Sequence, residues 1–204
     1  AEFFNSSILT SPHFCKVAPL KGEEEVKYTF FIKNDIDNAI NRVISNTAFI
    51  GGEEVKAFER EYASFFGVKH CISCANGTDS LEILLKAIGI KQGDEVIVPA
   101  MSWISTSESV SNIGATPVFV DINSDSCTID TTLIENAITK KTKAIIPVHL
   151  YGHPCDMTEI MRIAKKYSLK VIEDCAQSHL AEWTNQLIGT IGDAASFSFY
   201  TGKN

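Results

Sequence analysis

Two runs in this chain are apolar at every position, Val96-Ile97-Val98 and Ala144-Ile145-Ile146. A strand with one wet face alternates apolar and polar residues, so a short run without alternation belongs to a strand covered on both faces. Such strands need crossover helices, and the chain supplies them. Short β-rich runs at Cys71 to Cys74, Glu95 to Val98, Pro117 to Asp121, Ala144 to Val148 and Leu169 to Glu173 alternate with helical stretches. The rhythm predicts an α/β fold with a mostly parallel sheet covered by helices on both faces. Helix starts are expected at Thr78-Asp79, before Leu81, Leu84, Leu85 and Ile88, and at Cys155-Asp156, before Ile160, Ile163 and Ala164. Two amphipathic helices come earlier, one carrying Ile36, Ile40, Val43 and Ile44, the other running from Glu53 with Val55, Phe58, Tyr62 and Phe65. Each is expected to bury one stripe. With no repeat or linker-like shift in composition, residues 35–204 read as one continuous domain, and residues 1–34 as an amino-terminal segment without assignment.

Composition removes several classes. A chain of 204 residues that is 45% hydrophobic can bury a core, which excludes disorder. A formal net charge of -7, without clustered Lys and Arg, argues against a nucleic-acid partner. No run approaches the roughly 20 apolar residues of a membrane span, and no secretory signal is evident near Phe3 and Phe4, so cytoplasm is the default expectation. Six cysteines, at positions 15, 71, 74, 127, 155 and 175, fit reduced thiols better than a disulfide framework. Cys71 and Cys74 form a Cys-x-x-Cys, but in the expected strand they would point to opposite faces, and no second ligand pair exists. No metal site is expected.

In open α/β sheets ligands bind beyond the carboxyl ends of the strands. After Cys71 to Cys74 comes Ala75-Asn76-Gly77-Thr78-Asp79. Gly77 would let backbone approach a ligand, and free N–H groups with the Thr78 hydroxyl would cradle a phosphate, although an ordinary helix cap has the same residues. After Val98, Trp103 could stack on a flat ligand or fill a core. The run Val171 to Ile172 ends on Glu173 and Asp174, and a carboxylate so placed calls for a cation. A protonated ring nitrogen would serve, and so would a Lys or Arg elsewhere. The segment Ala195 to Asn204 alternates like a strand and then presents Lys203, which otherwise reads as a surface lysine. Neither a phosphate-loop nor a Gly-x-Gly-x-x-Gly spacing is present.

The order of these segments resembles the sugar-nucleotide aminotransferases of the DegT/DnrJ/EryC group. The similarity runs from about Asp35 to Asn204. It includes Phe49-Ile50-Gly51-Gly52-Glu53, Ala75 to Asp79, Gly93-Asp94-Glu95-Val96-Ile97-Val98-Pro99, Gly114 to Asp121, Pro147-Val148-His149-Leu150-Tyr151-Gly152 and Glu173-Asp174-Cys175-Ala176-Gln177. Val17-Ala18-Pro19-Leu20 resembles the family's opening segment more faintly.

The resemblance implies the large domain of the aspartate-aminotransferase-like fold, with pyridoxal 5'-phosphate as cofactor. It implies that Gly77, Thr78 and Ser198 hold the cofactor phosphate and that Trp103 stacks on the ring. Asp174 would face the ring nitrogen, Gln177 the phenolic oxygen, and Lys203 would bind the cofactor covalently. The implied reaction moves an amino group from an amino-acid donor, by family habit L-glutamate, to a nucleotide-linked keto-sugar, in the setting of polysaccharide biosynthesis. A homodimer is implied for the complete enzyme. The chain then reads as an amino-terminal half, expected to be inactive alone. An inactive or partner-binding product is one alternative. A dehydratase of the same fold is another, disfavoured because those relatives carry His in place of the lysine. Two departures stand out, Thr201 where many relatives have Pro and Leu180 where they often have Gly.

Overall fold

A computed structural model describes residues 33–203. Expectations placed on Phe3 and Phe4, on Cys15 and on Val17 to Leu20 lie outside the described residues. The chain divides between Ser73 and Cys74 into two compact units.

The first unit contributes helices α1 (Lys33–Ser45) and α2 (Glu53–Phe66). Helix α2 ends where Gly67 adopts φ 65°, a left-handed cap that satisfies its N–H on Ala63 and Ser64 carbonyls. Arg42 Nε donates to Glu54 Oε1 at 2.8 Å. Both helices form where expected, but the buried stripes differ. In α1 only Ala39 is buried, whereas Ile40 and Ile44 are exposed. In α2 the buried residues are Ala57, Tyr62, Ala63 and Phe66, with Val55 exposed. Rings explain the second choice: Tyr62 packs on Phe66 at 4.6 Å and on Phe58 at 5.4 Å.

The expected strand at Cys71 to Cys74 does not form. A strand needs a ladder partner, and here the backbone is engaged otherwise. The N–H and hydroxyl of Ser73 both donate to Glu59 Oε1 at 2.7 Å, and Cys74 Sγ reaches Asn76 O at 3.4 Å. The strand geometry offered against metal binding at Cys71 and Cys74 therefore does not hold.

The second unit is built on a five-stranded sheet. Its elements are α3 (Gly77–Ala87), β1 (Glu95–Pro99), α4 (Ser105–Asn112), β2 (Thr116–Val120), α5 (Thr131–Ala137), β3 (Thr142–Ile145), α6 (Met157–Tyr167), β4 (Lys170–Asp174), the hairpin β5 (Glu182–Trp183) and β6 (Gln186–Leu187), and β7 (Ala194–Ser196). The sheet order is β2-β1-β3-β4-β7, and every neighbouring pair is parallel. Helix α3 starts at Gly77, one residue before the expected Thr78-Asp79: Asn76 is its cap and accepts from Asp79 N at 2.9 Å. Helix α6 is capped by Asp156, as expected. Strand β3 begins two residues before the expected Ala144 to Val148 and ends at Ile145, ahead of Pro147, which has no N–H to give a ladder.

Alternation along the strands fills two cores. Ile97, Ile145 and Val171 face Ile134 of α5 and Met157, Ile160 and Ile163 of α6. Val96, Val98, Ala144, Ile146 and Ile172 face Leu81 and Leu85 of α3 and Val110 of α4. The unbroken apolar runs are thus strands covered on both faces. The order reverses between β1 and β3, which makes the carboxyl edge of these strands a switch point. Among the described residues no helix is long and apolar enough to cross a membrane.

This packing sets a stability test. Ile163 is fully buried on α6, so Ile163→Ala should cost about 2–5 kcal/mol in urea unfolding. Ile83→Ala, on the exposed side of α3, should stay within about 0.5 kcal/mol.

Candidate active site

The residues singled out from sequence lie in the second unit, at or beyond the carboxyl ends of its strands and at the start of α3. The α3 amino terminus is one wall. Its ladder begins with Ser80 N on Asn76 O, and Asp79 N is taken by the Asn76 side chain, so the amides of Gly77 and Thr78 stand ahead of the ladder. A Cβ on Gly77 would lie 3.2 Å from Ser198 Cβ, tighter than ordinary contact, so a larger residue there would press on Ser198. Ser196 Oγ donates to Gly77 O at 3.3 Å, which ties β7 to the same turn. The Thr78 hydroxyl donates to Ser105 Oγ at 2.8 Å. Gly77, Thr78 and Ser198 are therefore linked around one helix end, where backbone dipoles and hydroxyls favour an anion.

Asp174 ends β4 and is 5% exposed. Its Oδ2 accepts from Thr106 Oγ1 at 3.0 Å and its Oδ1 from Ala176 N at 3.2 Å. Thr106 also pairs with Ser102 Oγ at 2.9 Å. Among the described residues no cationic side chain forms an ion pair with Asp174. Burial pushes its carboxyl above the ordinary range, against the pull of the Ala176 N–H, the Thr106 hydroxyl and, more weakly, His149 and Lys203. The structure thus carries a buried carboxylate held by neutral donors.

Gln177 is oriented by backbone. Tyr151 N donates to Gln177 Oε1 at 2.9 Å, so the amide presents Nε2 as its remaining donor. Tyr151 adopts φ 56°, a left-handed conformation inside the turn Leu150–Gly152. Trp103 follows β1 with 70% of its surface exposed, and its carbonyl accepts from Thr106 N at 3.1 Å. It is a rim residue and fills no core. Ser198 O contacts His179 Nε2 at 2.9 Å, and Lys203 N donates to Tyr200 O at 2.8 Å.

Thr106 and Ser105 do not stand out in the sequence, and Tyr151 enters there only as part of the segment Pro147 to Gly152, with no role attached. Helix α4 reads Ser-Thr-Ser-Glu-Ser-Val-Ser-Asn, which has no apolar period to announce it. The hydroxyls of Ser102 and Thr106, four apart and just after a strand, are the one available signal.

Residues 31–204 match the family model described as the DegT/DnrJ/EryC1/StrS aminotransferase family. The chain belongs to that family. A dTDP-3-amino-3,6-dideoxy-alpha-D-galactopyranose transaminase of Aneurinibacillus thermoaerophilus is 51% identical over 167 residues, covering 82% of this chain and 46% of the relative. A UDP-2-acetamido-2-deoxy-3-oxo-D-glucuronate aminotransferase of Pseudomonas aeruginosa is 46% identical, covering 84% and 48%. The chain spans about half the length of the curated relatives it matches. Among solved structures, DesV of S. venezuelae superposes with a TM-score of 0.83 at 40% identity, covering 87% of this chain and 48% of that one. NtdA of Bacillus subtilis, solved with bound cofactor PMP, gives 0.78 at 39% identity, covering 83% and 38%. The fold is that of the family's cofactor-dependent aminotransferases.

The raised Asp174 carboxyl yields a signed prediction. Because its folded value exceeds the unfolded one, proton binding favours the fold. That contribution is complete below the ordinary value of 3.8 and is lost as pH rises through the raised folded value. Asp174→Asn removes the titration, so its melting temperature should gain on the parent as pH rises from about 4 to about 8. Thermal melts in which the variant gained on acidification would contradict the assignment.

Proposed function

We propose that this chain carries the cofactor side of a pyridoxal-phosphate-dependent aminotransferase acting on a nucleotide-linked keto-sugar, with L-glutamate as amino donor. The observation that carries the reading is Asp174, a buried carboxylate with neutral hydrogen-bond donors and no ion-pair partner among the described residues. A protonated pyridine nitrogen is a cation of the right size for it. The tight approach of Gly77 to Ser198 supports the same reading, since both flank amides suited to a phosphate. The names of the relatives supply the substrate class.

Each residue then has a task. The amides of Gly77 and Thr78, with the hydroxyls of Thr78 and Ser198, would bind the phosphate. Trp103 would cover one face of the ring. Asp174 would keep the ring nitrogen protonated, and Thr106 and Ala176 would hold the carboxylate in place. Gln177 would donate from Nε2 to the phenolic oxygen, its other end being occupied by Tyr151 N–H. Lys203 Nζ would hold the cofactor covalently and, once displaced, move the proton at the substrate carbon. Bound there, the cofactor supplies the electron sink for that proton removal. Two half-reactions would use the site in turn, the donor first and the keto-sugar second. Residues 35–204 would form part of the cofactor-binding large domain, in a homodimer serving polysaccharide biosynthesis. The family's dehydratase branch is disfavoured by Lys203.

The reading is tested by trapping. Full-length protein treated with pyridoxal phosphate and borohydride should carry a stable label on the peptide containing Lys203, and should form 2-oxoglutarate from glutamate when given a nucleotide-linked keto-sugar. Lys203→Ala should lose the label and the turnover together. A label on another lysine would overturn the role given to Lys203.

A further inference from the structure

Asp174 has a neighbour whose environment is its opposite. Strand alternation turns Glu173 to the other face of the sheet, and it is fully buried. Four donors meet it there. Gly192 N and Ile191 N donate to Oε1 at 2.7 and 2.8 Å, Gly189 N donates to Oε2 at 2.9 Å, and His149 Nε2 lies 3.2 Å from Oε2. His149 Nδ1 accepts from Cys155 N at 3.0 Å, so the ring proton sits on Nε2 and points at Glu173. Burial alone would raise the Glu173 carboxyl, but the donors from His149, Gly192 and Gly189 outweigh it and hold it below its ordinary range. His149, Glu173 and Cys175 bring possible metal ligands within 4.8 Å of one another. They make a poor metal site, because both imidazole nitrogens and both carboxylate oxygens are already engaged and burial raises the Cys175 thiol well above its ordinary value.

The bonded segments all lead to the candidate site. His149 N donates to Asp174 O, and the turn from Gly189 to Gly192 delivers β7. That strand has only three register pairs with β4, Ile172 with Ala194, Glu173 with Ala195 and Asp174 with Ser196. A slip of one residue would turn Ser196 and Ser198 away from Gly77, and with only three pairs to β4 the register depends on contacts outside the ladder as well. The turn itself is tight: a Cβ on Gly192 would meet Val171 O at 2.8 Å, and one on Gly189, at φ 92°, would clash with the Phe197 ring. A second tie, Asp193 Oδ2 accepting from Val171 N at 2.9 Å, lies in a more exposed position.

We propose that Glu173 is a positioning residue for the cofactor site: by holding the turn Gly189 to Gly192 it sets the register of β7, and so where Ser198 and Lys203 stand relative to Gly77 and Asp174. The proposal rests on the functional reading above for what the site binds, but the register itself is a property of the unliganded protein. Two measurements separate them. Hydrogen exchange on unliganded full-length Glu173→Gln should show amides from 189 to 203 exchanging about ten- to a hundredfold faster than in the parent, with α6 and β1 unchanged. Borohydride trapping with pyridoxal phosphate should then give a label at Lys203 reduced by about tenfold or more at a temperature where the variant remains folded. His149→Leu removes one of the four donors and should move the same segment in the same direction, less far; it decides the matter if Glu173→Gln does not fold. Unchanged exchange from 189 to 203, loss of protection spread evenly over the sheet, or a full label at Lys203 in a variant with a loosened turn would overturn the proposal. A parent protein that takes no label at Lys203 overturns the functional reading, and the proposed role in the cofactor site with it.

Discussion

Two consecutive carboxylates end the fourth strand of a parallel sheet, and their opposite surroundings organise everything beyond it. Glu173 points into the core face shared with α6 and receives four hydrogen-bond donors, three of them backbone amides of one turn. Asp174 points to the face shared with α3 and α4 and receives two, from a hydroxyl and an amide. A buried carboxylate with a full complement of donors is stable as an anion, while one with few is left seeking a cation. The protein gives the first carboxylate four donors and the second only two, and on the proposed reading a ligand completes the second. The strand's period of two is what allows adjacent residues to serve such different ends.

The proposed phosphate side of the site depends on the same sheet. Helix α3 starts beside Ser196 and Ser198, so its free amides and the residues after β7 form one edge. The helix end contributes partial positive charge, and a glycine at its first position keeps the approach open. On the proposed reading, Asp174 and the α3 terminus are two poles of opposite sign for a ligand that is cationic at one end and anionic at the other. Membership of the aminotransferase family rests on the family match and on relatives up to 51% identical, and the geometry agrees with it.

Much of this is legible in the sequence. Unbroken apolar runs announce strands covered on both faces, and the order of segments points to the family. The failures have local causes. Cys71 to Cys74 looks like a strand by composition, but Glu59 takes the N–H of Ser73, and a ladder partner is something no local pattern reveals. Helix α4 is almost wholly polar, so the Thr106 contact to Asp174 has no periodicity behind it. The hairpin β5–β6 turns on Thr184 and Asn185, both at positive φ, without the Asn-Gly signal that usually marks such turns. Leu180, where the resemblance leads one to expect Gly, adopts a left-handed backbone at φ 65°, at a strain of about 1–2 kcal/mol.

Asp174 is, on this view, a carboxylate built for a ring nitrogen, across from a phosphate site at the start of α3. A crystal structure of the full-length protein with pyridoxal phosphate tests that claim most directly. The ring nitrogen is expected within about 2.6–3.2 Å of an Asp174 carboxylate oxygen, with the phosphate on the amides of Gly77 and Thr78. Cofactor bound elsewhere, or bound here with Asp174 turned away from the ring, would contradict it.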